Sequence, residues 1–99
     1  MLHIVNKSPF ERPALDACLR LAQAGSAILL IEDGVYAATG VPEIVERFAR
    51  APAGVKVFAL SPDIEARGLQ ERIRPGVERV DHAGFVDLVT QYPAVQSWL

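Results

Sequence analysis

Ninety-nine residues, 51% of them hydrophobic, with a formal net charge of -2, describe one small folded domain over residues 1–99. Acidic and basic residues are interspersed without a block of like charge, so no direct nucleic-acid contact and no membrane association are expected. A single cysteine, Cys18, excludes an intrachain disulfide and any cysteine cage for a metal.

Leu2–Asn6 reads as a first strand, ended by Lys7-Ser8-Pro9. This opening has neither the basic start nor the long apolar stretch of a signal peptide, so a cytoplasmic location is expected. Pro13 suits the first turn of a helix, in which Leu15, Cys18, Leu19 and Ala22 recur at helical spacing until Gly25 closes it. Ala27–Ile31 is an unbroken apolar run without alternation, the pattern of a central parallel strand covered on both faces. It is far too short to span a bilayer.

Glu32-Asp33-Gly34 then reads as a turn, with glycine supplying a positive φ. A second helix follows Pro42. Glu43 and Glu46 lie toward its positive end, Arg47 and Arg50 occupy its last turn, and Val41, Ile44, Val45 and Phe48 form its apolar stripe. Val55–Leu60 is a third strand, and Ser61-Pro62-Asp63 caps a short helix ending at Gly68. Val77–Val80 carries Glu78 and Arg79 and is an edge strand. Asp81 caps a last helix with Phe85, Leu88, Val89 and Tyr92 on one side, and Val95–Leu99 adds a terminal strand. The alternation predicts an α/β domain with a mostly parallel sheet and helices on both faces.

Parallel sheets bind ligands at the carboxyl ends of their strands. The first of those ends holds Asn6-Lys7-Ser8-Pro9-Phe10 and no glycine, which excludes a dinucleotide fingerprint, and no P-loop pattern occurs. Glu32-Asp33 is one adjacent carboxylate pair, and adjacent residues at a strand end point different ways, so a turn is expected there rather than a phosphoacceptor. His3 and His82 share no ligand spacing, no G-x-S-x-G elbow exists, and both histidines read as structural. No cofactor and no metal are expected. Cys18 is open to two readings: an inert core cysteine among Leu15, Leu19, Leu21 and Ala22, or a thiol that accepts sulfur as a persulfide and passes it on.

The segments His3–Phe10, Leu29–Ala38, Asp63–Gly68 and Asp81–Leu88, with the closing Gln96-Ser97-Trp98-Leu99, resemble the DsrH/TusB family. They match its H-x-x-x-x-S-P start, its D-G-V-x-A-A turn, its D-x-x-A-R-G helix, its F-V-x-L last helix and its terminal Q-x-W. The resemblance implies a Rossmann-like DsrEFH-type domain, a subunit rather than a self-sufficient enzyme. It implies assembly with DsrE/TusD-like and DsrF/TusC-like paralogues and sulfur transfer to a DsrC/TusE-like carrier, serving sulfur oxidation in one branch and tRNA wobble-uridine 2-thiolation in the other. Cys18 falls where the DsrH-like branch carries a first-helix cysteine, which favours that branch and makes Cys18 the candidate persulfide carrier; the principal cysteine is expected on the DsrE/TusD-like partner. Interface contacts are expected at Asp33, Gly34, Val35 and Tyr36 and at Trp98 and Leu99. A non-catalytic interaction subunit and a stand-alone homo-oligomeric binding module are the alternative readings.

Overall fold

The computed structural model describes residues 1–11 and 13–98. Leu2–Val5 (β1), Ala27–Leu30 (β2), Lys56–Leu60 (β3), Val77–Val80 (β4) and Val95–Trp98 (β5) form one sheet in the order β4-β3-β2-β1-β5. Every neighbouring pair is parallel. The chain steps outward from β1 through β2 and β3 to β4, then returns across the sheet to place β5 on the far side of β1.

The central position of β2 follows from its residues. Ala27, Ile28, Leu29 and Leu30 are each 0% exposed, since both faces are covered. Ile28 and Leu30 join Leu15, Cys18 and Leu19 of α1 (Ala14–Leu21), Ile44 of α2 (Pro42–Ala49) and Ile64 of α3 (Ser61–Ala66) in the larger core. Ala27 and Leu29 face Leu88 of α4 (His82–Gln91), with Phe85, Val89 and Tyr92 packed beside it. Helices thus cover both faces, as the sequence predicts, three against one. At about 25 cal/mol per Å² of apolar surface removed from water, this two-sided burial is the main source of stability.

The polar strand β4 lies at one edge, as expected from Glu78 and Arg79, and β5 lies at the other. Asp81 caps α4 as expected, its side chain accepting from the Gly84 N–H at 2.8 Å.

Three local readings need correction. α1 ends at Leu21 with Ala22 already extended, and Gly25 (φ 86°) serves the turn into β2 instead. Along α2 only Ile44 is buried, while Val41 and Val45 are exposed, because the short helix touches the fold along a single line. The start of α3 has no side-chain cap; Asp63 instead accepts a hydrogen bond from the Glu32 N–H at 2.7 Å.

Candidate functional site

The carboxyl rim of the sheet is built from the segments after β1, β2 and β3. Beyond β2 the chain enters a 3₁₀ turn, Glu32–Ala38, held against the end of β1. The Ile31 N–H donates to the Val5 carbonyl at 3.0 Å, and the Gly34 N–H donates to the Ile31 carbonyl at 2.8 Å. The positive φ needed here falls on Glu32 (50°), not on Gly34. Gly34 is required for space: a methyl group there would lie 2.2 Å from the Val5 carbonyl oxygen. The Asp33 Oδ1 accepts a hydrogen bond from Arg67 Nε at 2.9 Å, and Arg67 Nη2 pairs with the same oxygen at 2.9 Å. Arg67 also donates to the Asp63 carbonyl at 3.1 Å, so α3 and the turn are clamped together.

Beside this clamp the loop after β1 leaves a cleft of about 300 Å³ lined by Ser8, Phe10, Glu11, Asp33 and Tyr36. The Ser8 hydroxyl accepts from the Phe10 N–H at 3.2 Å, and the Phe10 ring is 56% exposed. No histidine or cysteine lines the cleft, and among the described residues no cluster of three or more metal-ligating side chains occurs. With Asp33 engaged by Arg67 and Ser8 holding a backbone turn, the lining has no nucleophile with an adjacent base. What it offers is an exposed aromatic ring, a half-buried Tyr36 and an acidic edge, the makings of a recognition surface.

The interface expectations divide accordingly. Asp33 and Tyr36 reach the surface, whereas Gly34 and Val35 are buried inside the chain's own core and present no side chain outward. The cause is the close seating of the turn on β1. Trp98 ends β5 on the same rim, next to Val5. Its indole N–H donates to His3 Nδ1 at 3.0 Å, which fixes the ring half-buried against the α1 side. His3 is buried, and desolvation lowers its pKa. Leu99 lies outside the described residues.

Cys18 is not part of this rim. It sits on the inward stripe of α1 in the larger core at 0% exposure. Desolvation pushes its pKa up to about 12. Neither Lys7 nor Arg20 offsets that burial. The thiol is therefore protonated and out of reach of a reaction partner in this chain, opposite to what a sulfur-accepting cysteine requires.

Sequence reasoning missed Arg67 as the clamp on Asp33, although the D-x-x-A-R-G segment contains both Asp63 and Arg67. It also missed the Trp98–His3 pair, since nothing in the sequence shows that the two terminal strands lie side by side. The Asn6 side-chain oxygen is buried with no hydrogen-bond partner among the described residues.

The chain is thus a small α/β domain with one parallel sheet and a turn clamped at its carboxyl rim. A sequence model of the family described as DsrH like protein matches residues 7–95. The chain is 39% identical over 98 residues to protein TusB of Erwinia tasmaniensis, covering 99% of this chain and 100% of the relative. Over the same shares it is 37% identical to protein TusB of Pectobacterium parmentieri and of Escherichia coli K12. The solution structure of Tm0979 from Thermotoga maritima superposes with a TM-score of 0.65 at 27% identity, over 92% of this chain and 93% of that one. The crystal structure of ychN from Escherichia coli shares the fold, with a TM-score of 0.75 at 20% identity over 97% of each chain. The chain belongs to the DsrH/TusB family. No helix among the described residues is long and apolar enough to cross a membrane.

Proposed function

We propose that this chain, one domain over residues 1–99, is a subunit of a cytoplasmic hetero-oligomeric sulfur-relay complex that contributes surface rather than a thiol. Its partners are DsrE/TusD-like and DsrF/TusC-like paralogues, and the sulfur leaves on a DsrC/TusE-like carrier. Family membership supports the relay, and the TusB names of its relatives weigh toward the tRNA-thiolating branch. The observation that carries the subunit role is the sealing of Cys18, the chain's one cysteine. A relay station needs a thiolate in contact with its donor and acceptor. The surface chemistry is on the rim instead, at Phe10, Asp33, Tyr36 and Trp98.

The test reconstitutes the complex with wild-type chain or Cys18→Ala, supplies a sulfur donor and follows sulfur on the carrier by intact mass. Both chains should assemble with the paralogues, transfer at rates within about twofold of each other, and show no persulfide on Cys18. Transfer falling more than tenfold in the variant with assembly intact would restore Cys18 as a relay station. Failure of the wild-type chain to bind either paralogue would leave the stand-alone module.

A further inference from the structure

At the other end of the sheet, where β3 and β4 begin, a pocket of about 200 Å³ opens between the end of α2 and the segment leading into β4. Phe48, Ala51, Val55, Val57 and Val77 supply its apolar part, Arg74 lies among them, and polar surface makes up nearly half of the lining. Four contacts fix that arginine. Its backbone N–H donates to the Ala38 carbonyl at 3.0 Å, its Nη1 donates to the carbonyls of Ala37 and Thr39, and its Cζ lies 4.4 Å from the centre of the Phe48 ring. These contacts hold the guanidinium plane and use Nη1 alone. The side-on edge, Nε and Nη2, makes no hydrogen bond among the described residues.

The other half-buried arginines differ. Arg47 faces Glu43 at 2.7 Å and Asp16 at 3.8 Å, and Arg67 grips Asp33 through the very edge that Arg74 leaves open. Among the described residues Arg74 forms no ion pair, and burial lowers its pKa. A half-buried cation without a counter-charge favours the arrival of one, and a carboxylate taken side-on by two parallel N–H donors is its best geometric match.

We infer that this pocket is a docking site for an aspartate or glutamate side chain of a partner subunit. The inference rests on the multi-subunit reading above. Charge complementarity selects the carboxylate, and the aliphatic side chains of the wall can pack on the methylenes that carry it. The volume, below the roughly 300–1,000 Å³ of sites for drug-sized ligands, suits a single side chain. Arg74 here is a binding residue with a second role, closing the carbonyl end of the 3₁₀ turn, so its replacement alone would confound binding with folding.

The test therefore acts at Pro52, an exposed pocket residue between α2 and β3. Pro52→Glu supplies an internal carboxylate to occupy Arg74; Pro52→Gln supplies the same bulk without charge. Full chains are titrated with the purified paralogues, and the Arg74 Nε–H resonance is followed in nitrogen-15 spectra. Pro52→Glu should weaken association at least tenfold and shift that resonance in the free chain. Pro52→Gln should do neither, and both variants should melt within a few degrees of wild type. Wild-type binding with Pro52→Glu equally tight would overturn the docking site while leaving the subunit reading intact. Equal weakening by both variants would also overturn it, by showing that bulk and not charge matters. Butyrate that saturates the pocket without competing with the paralogues would assign it to a free carboxylic acid and overturn the partner occupant. Wild-type chain that binds no paralogue would overturn both readings together.

Discussion

Gly34→Ala probes how the rim is attached to the sheet. The added methyl would lie 2.2 Å from the Val5 carbonyl oxygen and 2.9 Å from its carbon. Carbon–oxygen contacts are tolerated from about 3.3 Å, so the turn and β1 must part by about 1 Å. That movement pulls the Ile31 N–H from the Val5 carbonyl, now at 3.0 Å, in a part of the chain where Val5 and Gly34 are both buried. Overpacking of this kind costs about 1–3 kcal/mol, and a stranded backbone group costs about 1–3 kcal/mol more. A loss of about 4 kcal/mol compares with a total stability of about 5–15 kcal/mol for a domain of this size. At about 4–8 °C per kcal/mol, the melting temperature should fall by roughly 15–30 °C.

The assay is calorimetric or far-ultraviolet melting of the variant beside Gly40→Ala, whose methyl would meet nothing within 4 Å. That control should stay within about 1 kcal/mol of wild type. A Gly34→Ala melting point within about 4 °C of wild type would refute the reasoning, because a rim seated that loosely on β1 is not what holds Gly34 in place.

Two further predictions concern titration. His3 is neutral in the fold with a lowered pKa, so the unfolded chain takes up the proton first as pH falls below about 6.5. Wild-type stability should therefore decline below that pH by up to about 1.4 kcal/mol per unit more than that of His3→Gln, read by denaturant unfolding on the fluorescence of Trp98, the single tryptophan. Equal slopes would separate His3 from the effect. For Cys18 the sign is opposite: the fold keeps the thiol protonated up to about 12 against an ordinary 9.0. Stability is thus fully present below pH 9 and is lost above it, at about 1.4 kcal/mol per unit, and Cys18→Ala should lack that extra slope in alkaline denaturation.

The sheet is legible in the sequence because its signals are local. The apolar run Ala27–Ile31 has no polar position to turn toward water, and Glu78 and Arg79 could not both be buried in β4. The terminal pairing of β1 with β5 is not legible, because the His3–Trp98 bond joins residues at opposite ends of the chain. At the rim the sequence points to the residues but not to their roles. Gly34 reads as a source of positive φ, yet its reason is the approach of a strand distant in sequence. Asp63 reads as a cap, yet its carboxylate faces the turn after β2. In α2, the apolar residues at helical spacing exceed what the helix buries, since spacing reports which residues could share a face and not how much of it a neighbour covers.

The position of Cys18 also limits any sulfur chemistry by a magnitude that can be worked out. Its sulfur lies on the stripe by which α1 seals the sheet, between Leu15 and Leu19, at 1% and 9% exposure. Exposing the thiol means turning the helix by roughly a third of a revolution or lifting it, and either movement carries both leucines into water. At about 1.5–3 kcal/mol for each leucine, the open state lies about 3–6 kcal/mol above the closed one. Each 1.4 kcal/mol is a factor of ten, so about one chain in a hundred to one in ten thousand presents the thiol at a given moment. Sulfur acceptance at Cys18 is slowed by that factor relative to a cysteine already exposed. A cysteine already exposed on another protein would accept sulfur faster than Cys18 by that same factor.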